Sequence, residues 1–220
     1  MRARARIVAT ADAAGGTRLA VLHGEAPLLL RRTRGPGTVV HLVGGAAGPL
    51  GGDDLRLDVE VGPGAQLSVR SVAASIALPG PGGAASGMHV RATVAAGAVL
   101  HWQPEPLIAA AGCNHDAVTE VHVADGGAVT WRDDVVCGRH GETPGDVRIN
   151  TLITYAGRTL HRHELFLGPS APGWAGAAVL GGARALGTVV VVNPAWAAGG
   201  PPPAAVLAPD AAAMPLTGPA

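Results

Sequence analysis

His161-Arg162-His163-Glu164 places two imidazoles two residues apart. On a strand that spacing puts both on one face, with Arg162 and Glu164 on the other. Imidazoles so placed can share a metal ion, as in cupin-like β-barrel dioxygenases. The further Glu such a site uses does not follow; only Leu165-Phe166-Leu167-Gly168 does. Solvent-facing strand histidines are therefore the plainer reading, and a metal-dependent β-fold enzyme using His161 and His163 stays open as the alternative. Cys113-Asn114-His115-Asp116, and Cys137 with His140, also gather ligands suited to nickel, copper or zinc. The competing reading of each is a core thiol beside a surface imidazole. Glu105 lies between Pro104 and Pro106, which forbid a helix start, so its carboxylate sits on extended chain.

Other chemistries find no footing. There is no G-x-S-x-G, and the five serines lie in strand or loop contexts without an adjacent base. A P-loop, a dinucleotide-binding glycine fingerprint, H-E-x-x-H and paired C-x-x-C motifs are all absent. Neither a phosphate-handling nor a peptidase role is expected. Trp102, Trp131 and Trp174 read as core or interface residues.

The elements that must position these side chains are strands. In Gly51–Val69, Leu55, Leu57, Val59 and Val61 alternate with Arg56, Asp58 and Glu60, the period of a half-buried strand. Gly62-Pro63-Gly64 turns the chain, and Leu67 and Val69 resume the alternation, which reads as a β-hairpin. Val90–Trp102, Val121–Trp131 and, more loosely, Leu152–His161 repeat the plan. Their turn glycines, taken as Gly64, Gly97, Gly127 and Gly157, lie 33, 30 and 30 residues apart. A near-constant period of this size predicts a mainly β, superhelical stack of hairpins with few short helices. Before it, Ala3–Thr10, Thr17–Glu25 and Val39–Val43 read as strands, with Arg31–Gly37 as the turn before the last. Gly44–Gly52 carries five glycines and one proline in nine residues and reads as a loop whose backbone approaches something closely. Pro79–Gly87 and Gly138–Gly145 are further loops, and Val189–Val192 is a buried strand candidate. Residues 1–195 form one predicted β domain. The Ala/Pro/Gly-rich 196–220 are expected to be poorly ordered unless they dock on the body or a partner.

Composition narrows the function further. At 220 residues the chain can bury roughly 70% of its unfolded surface and needs no metal or disulfide simply to fold. With 33 glycines and only 3% aromatics, the core must be Val, Leu and Ala. The formal net charge is zero, which argues against nucleic acid or an anionic membrane surface as partner. All 16 basic residues are Arg, which we read as base composition rather than function. No apolar region of signal-peptide length follows the Arg-rich start, and no run of 18 apolar residues occurs. A cytoplasmic protein with two reduced cysteines is expected.

The runs GGDDLRLDVEVGPGAQLSVRSVAA, AAGAVLHWQPEPLIAAAGC, GAVTWRDDVVCGRHGE and GRTLHRHELFLG together resemble the urease accessory protein UreD (UreH) family, over about residues 1–195. The resemblance implies a non-enzymatic, mostly β superhelical protein that binds the urease apoprotein with UreF and UreG. It also implies nickel in transit rather than tightly held, along an internal water-filled tunnel, and no resident cofactor. Under that resemblance Glu105 is the first candidate for transient nickel contact, with Asp58, Glu60, His140 and Glu142 behind it. A conduit needs ligands that bind weakly and release, which suits dispersed carboxylates and imidazoles. The chain departs from the family at Val72–Leu78, where relatives carry a Lys and an aromatic. It departs again after Val192, where a helical segment and closing strand read as shortened or missing.

Overall fold

The computed structural model describes all 220 residues. The chain shuttles between two sheets. Strands β1 (Arg2–Ala11) and β2 (Thr17–Gly24) form a hairpin in the first sheet, and β3 (Leu28–Thr33) and β4 (Val39–Gly44) form one in the second. Strand β5 (Asp54–Val61) returns to the first sheet, while β6 (Gln66–Ser71) and β7 (Ser75–Ala77) lie in the second. The same step recurs with β8 (Ser86–Val94) followed by β9 (Val99–Gln103) and β10 (Leu107–Ala109), then with β11 (Asn114–Val123) followed by β12 (Ala128–Cys137). A hairpin of β13 (Asp146–Tyr155) and β14 (Arg158–Leu167) closes the first sheet, and β15 (Ala185–Val192) closes the second against β12. A four-residue helix, α1 (Trp196–Gly199), and a small hairpin of β16 (Ala205–Ala208) and β17 (Ala211–Ala213) follow.

The stacked, mainly β architecture agrees with the sequence reading, but the unit of repetition differs. Strands β5 and β6 do not pair with each other. Each pairs in parallel with its counterpart in the next coil, β5 with β8 and β6 with β9. The first three units are arcs joining two sheets, and only the fourth, β13–β14, is a hairpin. Local sequence cannot separate the two, because both need the same alternation and the same glycine turn. The turn glycine of the third unit is Gly126 rather than Gly127, so the left-handed residues Gly64, Gly97, Gly126 and Gly157 recur at intervals of 33, 29 and 31. They stack, and Gly97 donates its N–H to the Gly126 carbonyl at 3.0 Å. Arg31–Thr33, read as part of a turn, belong to β3.

Inward side chains of both sheets build the core. Ile7, Leu57 and Val59 of the first sheet meet Leu67, Val69 and Leu100 of the second, all essentially inaccessible. Each is worth roughly 1.5–3 kcal/mol by burial. The close approach expected of the glycine loop is to the chain itself: a Cβ on Gly51 would collide with the Gly80 backbone, and one on Gly80 with that of Gly51. Residues 196–220 end against the body, where Asn193 donates to the Pro219 carbonyl at 2.8 Å and Ala220 joins the core. No helix is long and apolar enough to cross a membrane.

Candidate functional site

Between the last strands of the two sheets the interior turns polar. On β12, Trp131, Asp133 and Val135 point inward, opposite Val190, Thr188 and Leu186 of β15 in strand register. On the other sheet Ile153, Thr151 and Ile149 of β13 align with His161, His163 and Leu165 of β14. Asp133, Thr188, Thr151, His161 and His163 thus make a polar layer held between apolar ones. They line a narrow pocket of about 10 Å³, roughly room for one water molecule. Deeper into the first sheet the Thr151 row continues through Thr119 and then becomes Val90, Leu57 and Ala5. The polar layer therefore stops within the last coils.

The neighbours of Asp133 fix its chemistry. Its Oδ2 accepts from Trp131 Nε1 at 2.9 Å and from Thr151 Oγ1 at 3.3 Å. Trp131 is itself held by Trp102, stacked at 4.7 Å with 7° between ring planes. Burial pushes the Asp133 carboxyl up to about 6, against the opposing pull of the Trp131 and Thr151 hydrogen bonds. A carboxylate poised near neutrality inside an apolar sandwich gains by meeting a cation. Burial, then the neighbouring His163, lowers the pKa of His161 and favours a neutral imidazole with a free lone pair. His161 Nε2 is enclosed and has no hydrogen-bond partner. The two imidazoles stand 5.9 Å apart, tilted by 43°. The layer offers oxygen and nitrogen donors, but no three His, Cys, Asp or Glu side chains converge closely enough to hold one ion.

His161 and His163 share a face as expected, but it is the face between the sheets and not solvent, because β14 packs its apolar side inward. The five residues singled out for nickel contact lie elsewhere. Asp58 and Glu60 project from the outer face of the first sheet, where Glu60 accepts from Arg6 at 2.7 Å. Glu105 is exposed between its prolines, with its N–H bonded to Ser71 Oγ at 2.8 Å. His140 is exposed on the turn after β12. Glu142 is engaged by the Arg139 side chain and by the N–H groups of Arg139 and Ala111, which together hold its carboxyl at about 2. None of the five borders the pocket.

The cysteine clusters come apart by strand alternation and burial. Cys113 and Cys137 are buried and unpaired, and burial pushes Cys113 up to about 11, which makes it a poor nucleophile. His115 is buried against Ser86, Nδ1 to Oγ 2.8 Å, while Asp116 faces outward toward Arg148. Asp133 is absent from the residues that sequence reasoning singles out. Its signal is its phase: it alternates with Trp131 and Val135 on the buried side of β12, where a carboxylate is costly.

Comparison with known proteins places the chain among relatives of one kind. A model of the UreD urease accessory protein family matches residues 1–214. A Streptomyces coelicolor protein described as urease accessory protein UreD is 46% identical over 223 residues, covering all of this chain and 87% of the relative. A Parafrankia protein of the same description is 44% identical over all of this chain and 80% of its own length. A Streptomyces griseus protein described as urease accessory protein UreD 3 is also 44% identical, over all of this chain and 88% of its own.

Proposed function

The chain belongs to the UreD urease accessory protein family, and from that we propose that it serves urease maturation as a non-enzymatic scaffold. It binds the urease apoprotein together with UreF and UreG in the cytoplasm and helps deliver nickel to the urease active site. The observation that carries the nickel part is the Asp133–His161–His163 pocket. Nickel is a borderline cation served by imidazole and carboxylate, and donors spread over two sheets bind it without closing a cage. Such a waypoint releases its cargo. In this proposal Glu105 and His140 are exposed surface donors that an ion meets outside the pocket, while Asp58, Glu60 and Glu142 contribute less.

Co-expression of urease with and without this protein, followed by measurement of nickel per urease active site, tests the assignment. Occupancy should fall when the protein is left out, and equal occupancy would sink the idea.

The two imidazoles in one pocket also favour a second reading, a cupin-like metal enzyme. It requires a tightly bound, stoichiometric metal in protein purified from nickel-, iron- or manganese-supplemented cells. Metal lost on gel filtration counts against it.

A further inference from the structure

The outer faces of the two sheets differ in charge. On the first, basic and acidic side chains meet: Arg6 pairs with Glu60, Arg56 with Asp54 and Arg148 with Asp116. The second has no such balance. No Asp or Glu occurs between Glu25 and Asp53, nor between Glu60 and Glu105. Strands β3, β4, β6, β7 and β9 therefore carry no carboxylate at all. Register sets Arg31 of β3 beside His41 of β4, and His41 beside Arg70 of β6. Leu30, Val40 and Val69 of the same strands are buried in the core, so by alternation this row points out of the sandwich. Arg31 and Arg70 are exposed there, and Arg32 and Arg34 are exposed on the edge strand and the turn after it. None of the four has an ion-pair partner. A chain of zero formal charge thus concentrates unpaired guanidinium groups on one side. Apolar side chains border the row: Val39 on one flank, and the register pair Leu29 and Val43 on the other, all half-buried.

We propose that this face docks an acidic, amphipathic helix of a partner protein. Guanidinium forks suit carboxylates, and arginine beside apolar surface is the mixture that protein interfaces favour. A helix laid across the strands repeats every 5.4 Å or so, close to the strand spacing of about 4.8 Å. Glutamates on successive turns would then stand over Arg31, His41 and Arg70 in order. Nucleic acid fits the face less well. Beyond Arg70 the row reaches Gln103, and then come Glu105 and the Arg132–Asp134 pair, so a longer polyanion would run onto carboxylates. The inference goes beyond the nickel reading and rests on charge and register.

Fluorescence anisotropy with the purified full chain tests it. The probe is a labelled helical peptide with glutamate at every third or fourth position on one face and leucine beside that stripe. It should bind at least 10-fold more tightly than a scrambled peptide of the same composition, and added salt should weaken it. Arg31→Glu with Arg70→Glu should remove that preference with unchanged far-UV circular dichroism, since both side chains are exposed. Arg6→Glu with Arg148→Glu, on the outer face of the other sheet, should leave it intact. Equal affinity for the ordered and scrambled peptides, or binding indifferent to reversal of Arg31 and Arg70, would overturn the proposal. So would tighter binding of oligothymidylate or of phosphatidylserine vesicles than of the peptide. Self-association of the chain that the same reversal abolishes would assign the face to a second copy and overturn it too. Neither urease nor nickel enters the measurement, so its failure leaves the maturation reading standing.

Discussion

Asp133 carries a measurable signature. Its folded carboxyl titrates near 6 and its unfolded one near the ordinary value of 3.8, so folding takes up a proton between those pH values. The stability tied to the protonated form is complete below about 3.8 and lost as pH rises through about 6. At neutral pH the charge therefore costs stability, on the order of 2–3 kcal/mol from a shift of about two units. Asp133→Asn keeps an acceptor for Trp131 and Thr151 and removes the charge. It should stabilise the protein at pH 7.5 by up to that amount, and the gain should vanish by pH 4 in denaturant titrations. Trp131→Phe deletes the indole donor that favours the ionised form, so the Asp133 carboxyl should titrate higher still, as followed by carboxyl NMR shifts. Part of this site is legible in the sequence: the two-residue spacing puts His161 and His163 on one face. Which way that face points is not, since β14 alternates almost as well with either side inward.

At the scale of the elements, turns decide how the strands connect. The β13–β14 hairpin turns at Ala156-Gly157, both with positive φ, 48° and 78°. Two successive residues of that kind make the tight turn that lets adjacent strands pair, whereas each arc carries one left-handed glycine at Gly64, Gly97 or Gly126. Strand content and turn positions are thus legible in the glycine period, but crossing between sheets is not, because it depends on a coil roughly 30 residues away. Alanine is strained at position 156, so Ala156→Gly should raise stability by about 1 kcal/mol. Gly51→Ala should lower it by about 2 kcal/mol or more, since neither Gly51 nor Gly80 has room for a Cβ. Gly64→Ala meets only the Ala11 side chain, at an ordinary contact distance of 3.8 Å, and carries the backbone penalty, about 1 kcal/mol. Thermal or denaturant unfolding of the three variants ranks them.

As a whole the molecule is a short stack in which each coil touches its neighbours. Its middle strands β5, β8 and β11 should show the slowest amide exchange, and β2 and β14 at the two ends of the same sheet the fastest. The outer face of that sheet is strewn with paired charges such as Arg6–Glu60 and Arg148–Asp116, so it is stably solvated. The Asp133–His161–His163 layer lies in the coil that β14 and β15 leave open. In the sequence alone, the four family-like runs already point to an accessory protein. The pocket does not emerge there, because its donors come from β12, β13, β14 and β15, strands separated by up to tens of residues. The decisive measurement is nickel per urease active site in cells co-expressing urease with wild-type protein or with Asp133→Asn combined with His163→Ala, while capture of urease by each is checked in parallel. The variant should still capture urease but leave nickel occupancy near the level reached without the protein. Full occupancy with the variant would contradict it.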